Sequence, residues 1–320
     1  MSASLVAPPG PWSEAAGTKE SITQLLRAGE CFWLDLNDPT PDDLGLLREP
    51  FGFHPLAVED SEMFDQRPKV EDYENFVFLV AYGASPDEDG LVEVHCFYAE
   101  HFLVTVRRDD SPSLDALRVR LERDLSLLPR GPRLLYEVLD RLVDGFFPVL
   151  EHLEDRLDLI EDQMFSSPKP DFLEDIFRMK RRVVRLRKVV SPQRDVLARL
   201  VGPGAELPGL TVEDERYFRD VYDHLARLVE EIDAIREVMN ATIDAYLSTA
   251  SNRLNSTTKQ LTVMATIFLP LTFLTGFFGQ NFGWMVDHVD NWPAFAVLGL
   301  GLELATVVAL LALFRRRGWF

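Results

Sequence analysis

The chain has 320 residues and a formal net charge of −19, from 52 acidic against 33 basic residues. That excess argues against nucleic-acid binding, which needs a basic face; it fits a large aqueous domain or a surface that attracts cations. Two isolated cysteines, Cys31 and Cys96, and six scattered histidines supply neither a disulfide framework nor the spacing of a zinc or nickel cage.

Residues 1–20 are rich in Pro, Ala and Gly, lack the basic stretch of a secretory signal, and are expected to form a flexible leader. Residues 21–112 are expected to form a cytosolic α/β domain. CFWLDLN (31–37), NFVFLVAYG (75–83), LVEVHCFYAE (91–100) and HFLVTVRR (101–108), rich in Val, Phe and Tyr, predict strands of a mixed sheet. SPDEDG (85–90) predicts a hairpin turn between two of them. TPDDLGLLREPFG (40–52) opens like a capped helix, with Thr40 before Pro41 and acids in the first turn, and HPLAVEDSEM (54–63) predicts a second short helix. No Gly-rich phosphate loop, nucleophile elbow or paired nucleophile and base is visible, so the residues support neither an enzyme nor an organic cofactor.

From Ser113 the apolar period becomes helical, and residues 113–208 read as a cytosolic helical region. SLDALRVRLERDLSLLP (113–129) is one helix. The run 134–165 is a second, with a dense acidic face that includes Asp140, Asp144, Glu154, Asp158 and Glu161. After SSPKP (166–170) comes a basic helix, 171–200, carrying Lys180, Arg181, Arg182, Arg185, Arg187 and Lys188. Opposite charge on successive helices suggests an antiparallel hairpin that pairs those charges; two solvated faces are the alternative.

Residues 209–260 read as the stalk part of one long helix, since no proline falls between Pro208 and Pro270 and the pattern is helical from Glu213. A helix over 213–278 would extend on the order of 100 Å, of which a hydrocarbon core holds only roughly 30 Å. The stalk is therefore expected to project into the cytosol and to bundle with copies of itself around an axis. Residues 261–279 form a first candidate span, free of charge from Leu261 to Phe278. Residues 280–292 form an outer loop, 293–314 a second span, and 315–320 a basic tail. Lys259 before the first span and Arg315, Arg316 and Arg317 after the second put both termini on the cytosolic side of a plasma membrane. Trp284, Trp292 and Trp319 sit where interface aromatics belong.

The first span carries a stripe. Asn255, Thr258, Thr262, Ala265, Leu269, Thr272, Gly276 and Gly279 recur at spacings of three and four, and all but Leu269 are small or polar. Such a stripe calls for tight helix packing or for water, and it ends in the polar exit Gly279-Gln280-Asn281. The leading reading is a helix that lines an ion path.

The run SNRLNSTTKQLTVMATIFLPLTFLTGFFGQNFGWM, the two C-terminal spans and the FRRRGWF tail resemble the CorA family of magnesium transporters. So do HPLAVEDSEMFDQRPKVEDYENFVFLVAY (54–82) and YFRDVYDHL (217–225), and the likeness covers nearly all of the chain after the leader. The resemblance implies an α/β N-terminal cytosolic domain, a long helical stalk and two transmembrane helices, assembled as a funnel-shaped homopentamer in the lipid bilayer. The first span would line the pore and the second form an outer ring. By position, Asn281 resembles the family's selectivity asparagine, with Gly279 and Gln280 beside it at the outer mouth. Asn255, Thr258, Leu261, Ala265, Leu269, Thr272 and Gly276 fall on the pore face, with Leu261 and Leu269 as a hydrophobic gate. Asp244 matches an acidic ring in the stalk. Asp220, facing one of Asp87, Glu88 and Asp89 across a subunit interface, resembles a regulatory Mg2+ sensor. Mg2+ would thus be both transported and regulatory: opposed carboxylates repel when empty, and a bound cation locks the ring closed.

The family's Gly-Met-Asn is here Gly279-Gln280-Asn281, which bears on the identity of the ion but not on the architecture. Three functions are compared: a divalent-cation channel for Mg2+, with Co2+ or Ni2+ as further cargo; a proton-driven Zn2+ transporter of the same fold; and a membrane-anchored cytosolic sensor or scaffold. The last has no need of the small and polar stripe or of Asn281. Glu303 lies in the second span, where a carboxyl group is costly and usually functional. It is expected to be protonated or to hydrogen-bond a Thr- or Gly-rich face of the first span, with direct ion ligation as the alternative.

Overall fold

The computed structural model describes residues 3–8, 17–85, 90–125, 128, 131–166, 172–202, 207–280, 282–288 and 291–319. The chain divides into two compact units, Met1–Thr242 and Ile243–Phe320.

The first unit is built on a six-stranded mixed sheet in the order β1-β2-β6-β5-β4-β3. Its strands are β1 (Ala3–Val6), β2 (Phe32–Asn37), β3 (Lys69–Tyr73), β4 (Phe76–Ala84), β5 (Leu91–Ala99) and β6 (Phe102–Arg107). β2 and β6 pair in parallel, and the other neighbours are antiparallel. The α/β expectation and all four predicted strands hold, because their continuous apolar runs are covered on both faces. β4 and β5 close on Ala84 opposite Leu91, and the Ser85 amide donates to the Gly90 carbonyl at 3.3 Å. The flanks thus come together as the predicted hairpin requires, while residues 86–89 lie outside the described residues.

Two expectations are corrected, and two elements appear that were not expected. Residues 1–20 are not simply a flexible leader: Ala3–Val6 pairs with Trp33–Leu36 as an edge strand. β3, with the sequence KVEDY, has too many charges to read as a strand, yet it pairs with β4 as the opposite edge. The helix α1 (Lys19–Ala28), capped by Thr18 and by Gly29 at φ 67°, has no counterpart among the expected elements. The helix expected over 134–165 is two helices, α5 (Pro132–Asp144) and α6 (Phe147–Ser166). Pro148, in the first turn of α6, supplies no amide to the preceding turn, which suits the start of a new helix.

α2 (Pro41–Arg48) has the capping box of Thr40 and Asp43, and α3 (Pro55–Glu62) follows as expected. α5 packs on β4, where a Cβ at Gly83 would meet Leu142 at 2.7 Å. The side-chain amide of Gln193, on α7 (Phe172–Leu200), accepts from the Tyr82 amide at 2.7 Å and donates to the Tyr82 carbonyl at 3.2 Å. A helix is thereby bonded to a strand like a further ladder rung. α4 (Pro112–Arg123) contacts β1 and α5.

α6 and α7 form the antiparallel hairpin, with Leu153 beside Met179 and Val149 beside Leu186. Among the described residues, one ion pair across this hairpin runs opposite to the expected sense. Arg156 of the acidic helix meets Asp175 of the basic one at 4.0 Å. Arg187 of the basic helix instead reaches Asp233 at 2.7 Å, on the last helix of this unit.

That helix, α8, runs unbroken from Val212 to Phe278, 67 residues, through Pro270. Its start is a capping box in which Thr211 Oγ1 accepts from the Asp214 amide at 3.2 Å and the Asp214 carboxylate accepts from the Thr211 amide at 3.2 Å. Phe218, Val221, Leu225, Leu228, Ile232, Ile235 and Met239 form its buried face, which ends at Thr242. The second unit holds the rest of α8, the short helix α9 (Gly283–His288) and the helix α10 (Trp292–Arg316), of which Phe295–Gly301 is π-helical.

Candidate ion pathway and cation sensor

Beyond Thr242, no described residue of α8 is buried. Its partly covered residues between 260 and 278 are Val263, Thr266, Ile267, Pro270, Leu271, Leu274 and Phe278. At about 100° per residue these share one face. α10 lies against it: Leu274 and Phe278 share a cleft with Phe295, Leu298 and Gly299. Asn255, Thr258, Thr262, Ala265, Leu269, Thr272 and Gly276 are all exposed, on nearly the opposite face. The second span of the same chain therefore does not use the small and polar stripe as its packing surface.

The stripe's hydroxyls are oriented for acceptance. Thr262 donates to the Thr258 carbonyl at 2.8 Å, and Thr272 to the Phe268 carbonyl at 2.8 Å. A hydroxyl whose proton is held by its own helix turns its lone pairs outward, the donor type that hard cations and their water shells take. Between the two threonines stands Leu269, 72% exposed, and one turn before Ala265 is Leu261, 63% exposed. Large apolar side chains so open to solvent need another covering.

The first span ends in a tightened turn. The Gly279 amide donates to the Thr275 carbonyl at 2.9 Å, and the Gln280 amide to the Phe277 carbonyl at 3.3 Å. A Cβ at Gly279 would stand 3.0 Å from the Thr275 carbonyl oxygen, so a side chain there is crowded by the helix's own backbone. Asn281 lies outside the described residues. Beside this turn Thr275 Oγ1 and Glu303 Oε1 are 2.9 Å apart, which joins the two spans.

In the first unit, one carboxyl oxygen each from Asp140 and Asp144 and one ring nitrogen of His224 lie within 4.8 Å of one another. His224 Nδ1 is 3.3 Å from Asp144 Oδ1. Burial first, then the neighbouring Asp144 charge, pushes the Asp140 carboxyl up to about 6, and Asp220 adds to the shift. Tyr136, burial again leading, is pushed up to about 12 by the same acids, Asp140 and Asp220 among them. The protein thus holds a negative, partly desolvated cluster whose repulsion a divalent cation would relieve.

These features match one family. The model of the CorA-like Mg2+ transporter proteins matches residues 29–316. The chain belongs to that family. It is 34% identical over 309 residues to the cobalt/magnesium transport protein CorA of Thermotoga maritima, covering 94% of this chain and 86% of that one. It is 27% identical over 267 residues to the zinc transport protein ZntB of Yersinia enterocolitica, covering 81% and 80%. The structure of the CorA magnesium transporter of Methanocaldococcus jannaschii superposes with a TM-score of 0.80 at 25% identity, covering 91% of this chain and 92% of that one. This CorA-like chain is a membrane transporter of divalent cations, with an α/β N-terminal region, a long helix and two helices long and apolar enough to cross a membrane.

The residues singled out in the sequence meet different fates. Asn255, Thr258, Leu261, Ala265, Leu269, Thr272 and Gly276 are all exposed on α8. Asp244 is exposed on α8 just past Thr242, and Asp220 is exposed within reach of Asp140. Asp87, Glu88 and Asp89 lie outside the described residues. Asp144 and His224, 80 positions apart, read in the sequence as a helix acid and a scattered histidine. Only the packing of α5 against α8 shows them as neighbours, although the i, i+4 spacing of Asp140 and Asp144, and of Asp220 and His224, is there to be read.

Proposed function

We propose that this chain is a Mg2+ channel, with Co2+ or Ni2+ as further cargo, that works as a homopentamer in the plasma membrane with both termini cytosolic. The observation that carries this reading is the uncovered stripe of the first span. The second span occupies the opposite face, so in a ring of copies the stripe is left for the axis. The outer mouth is formed by Gly279, Gln280 and Asn281. Neutral carbonyl and amide oxygens there accept hydrogen bonds from the water shell of Mg2+, an ion that dehydrates reluctantly. Asn255, Thr258, Ala265, Thr272 and Gly276 line the path, Leu261 and Leu269 close it by dewetting, and Asp244 concentrates cations below it. Regulation rests on Asp220. With Asp140, Asp144 and His224 behind it, it meets Asp87, Glu88 or Asp89 of the next copy, and cytosolic Mg2+ bridges them. No nucleic acid enters this scheme, and neither does an organic cofactor.

One observation favours a second reading, a proton-coupled Zn2+ transporter: Gln280 replaces the methionine of the family motif, and a zinc transport protein is among the relatives. Ion flux in proteoliposomes separates the two. Uptake of Mg2+ and Co2+ that is indifferent to a proton gradient supports the channel. Zn2+ uptake that requires the gradient supports the second reading. In either case Asn281→Ala abolishes flux, and unchanged flux in that variant removes the pore-mouth assignment.

A further inference from the structure

We propose that Glu303 is a protonated, neutral hydrogen-bond donor that ties the second span to the last turn of the first and so positions the Gly279-Gln280 turn. The inference rests on the transport reading only for its functional consequence; the protonation state stands by itself.

The number of protons available at Thr275 decides the matter. Thr275 Oγ1 has one hydrogen and two acceptor neighbours, the Leu271 carbonyl at 2.7 Å and Glu303 Oε1 at 2.9 Å. An ionised carboxylate only accepts. With Glu303 ionised, a single hydrogen would serve two short contacts and leave one oxygen pair facing without a proton. With Glu303 protonated, its O–H donates to Thr275 Oγ1 and the threonine proton goes to Leu271, so both distances are full hydrogen bonds. Three other threonines of the spans show where that proton belongs. Thr262, Thr272 and Thr306 each donate to the carbonyl four residues back, at 2.8 Å. Thr275 at 2.7 Å follows the same habit, which leaves Glu303 as the donor.

The surroundings agree. Glu303 lies at a cleft of about 440 Å³ between the spans, lined mainly by apolar side chains such as Leu274, Phe278 and Phe295. Among the described residues, the cleft is lined by no basic side chain and no titratable group besides Glu303; Gln280 is the neutral polar side chain at its edge. Asp287 and His288 lie further along α9, which touches the cleft through Met285 and Val286. A carboxylate without a cation beside it is costly at membrane depth, and protonation removes that cost. The π-helical stretch Phe295–Gly301 ends two residues before Glu303. Its wider turn changes the rotational phase of the helix beyond it, and such turns are common at functional sites. The clamp reaches the ion path through one further bond, since the Thr275 carbonyl accepts from the Gly279 amide at 2.9 Å. Glu303 is accordingly a positioning residue and not an ion ligand.

The test uses the full-length protein in lipid. Infrared spectroscopy at neutral pH is expected to show a protonated-carboxyl C=O band that Glu303→Gln removes and that Thr275→Val moves to higher frequency. A band unaltered by Glu303→Gln, or absent from the wild type, overturns the proposal whether or not the protein transports. In Mg2+ uptake, Glu303→Leu and Thr275→Val are expected to lower flux about fivefold, the scale of one lost hydrogen bond. Glu303→Gln, whose amide can donate as the acid does, is expected to recover most of it. If Glu303→Gln is as impaired as Glu303→Leu, the group is needed as a charge and the positioning role is lost.

Discussion

The two halves of α8 share one backbone and answer to different solvents. From Val212 to Thr242 the helix is amphipathic, with Phe218, Val221, Leu225, Leu228 and Ile232 buried inside their own unit. From Ile243 to Phe278 no residue is buried, and the exposed side chains include Leu261, Met264, Phe268, Leu269 and Phe273. In the first half polarity is outside and the apolar stripe inside. In the second the apolar side chains surround a narrow stripe of hydroxyls, small residues and glycine. Burial within the chain organises one half; in the assembly proposed above, lipid and neighbouring copies organise the other. Secondary structure alone does not distinguish them, because both satisfy their backbone hydrogen bonds in the same helix.

The comparison can be broken most forcefully by truncating one residue from each half. Phe218→Ala, at a fully buried position, is expected to lower the unfolding free energy by about 3–5 kcal/mol, read from a denaturation curve. Leu269→Ala, at a position 72% exposed, is expected to leave that curve nearly unchanged and to raise ion leak through the closed state. If both variants lose stability alike, the second half has a core of its own and the comparison fails.

A second contrast bears on the two faces of the first span. Gly276→Leu fills the stripe and is expected to lower Mg2+ uptake by more than about tenfold without disturbing the fold of the chain, since no atom of the chain lies within 4 Å of the added Cβ. Flux at the wild-type rate would show that the stripe does not face the ion path.

Smaller effects probe the acid cluster. Asp220→Ala is expected to weaken the protection from proteolysis that Mg2+ confers; equal protection in the variant would exclude this carboxylate from sensing. Asp140, held up at about 6 against an ordinary 3.8, binds its proton more tightly in the native state than in the unfolded chain. Its penalty on folding is absent below pH 3.8 and grows as pH rises through about 6. Asp140→Asn is therefore expected to raise the melting temperature of the Mg2+-free protein modestly above that pH and to change little well below it.

Much of this is legible in the residues. The strands show as continuous runs of Val, Phe and Tyr, the helices as threefold and fourfold periods, and the stripe of the first span as a departure from an otherwise apolar segment. The elements that escape such a reading depend on neighbours distant in sequence. β3 carries charges because it is an edge strand, and its pairing with β4 supplies what its composition does not. Ala3–Val6 reads as part of a leader because four residues have no period to show, and only the exposed edge of β2 makes them a strand.

Sequence by itself determined the family, the four inner strands, the long helix and the two spans, and the small and polar stripe, because these arise from composition and spacing along one chain. The tertiary structure decided what lies beside what. It placed Asp140, Asp144 and His224 together, it set the second span on the face away from the stripe, and it brought Glu303 within hydrogen-bond distance of Thr275. Each is a contact between residues 28 or more positions apart, or a choice among helix faces, and neither is encoded in local periodicity.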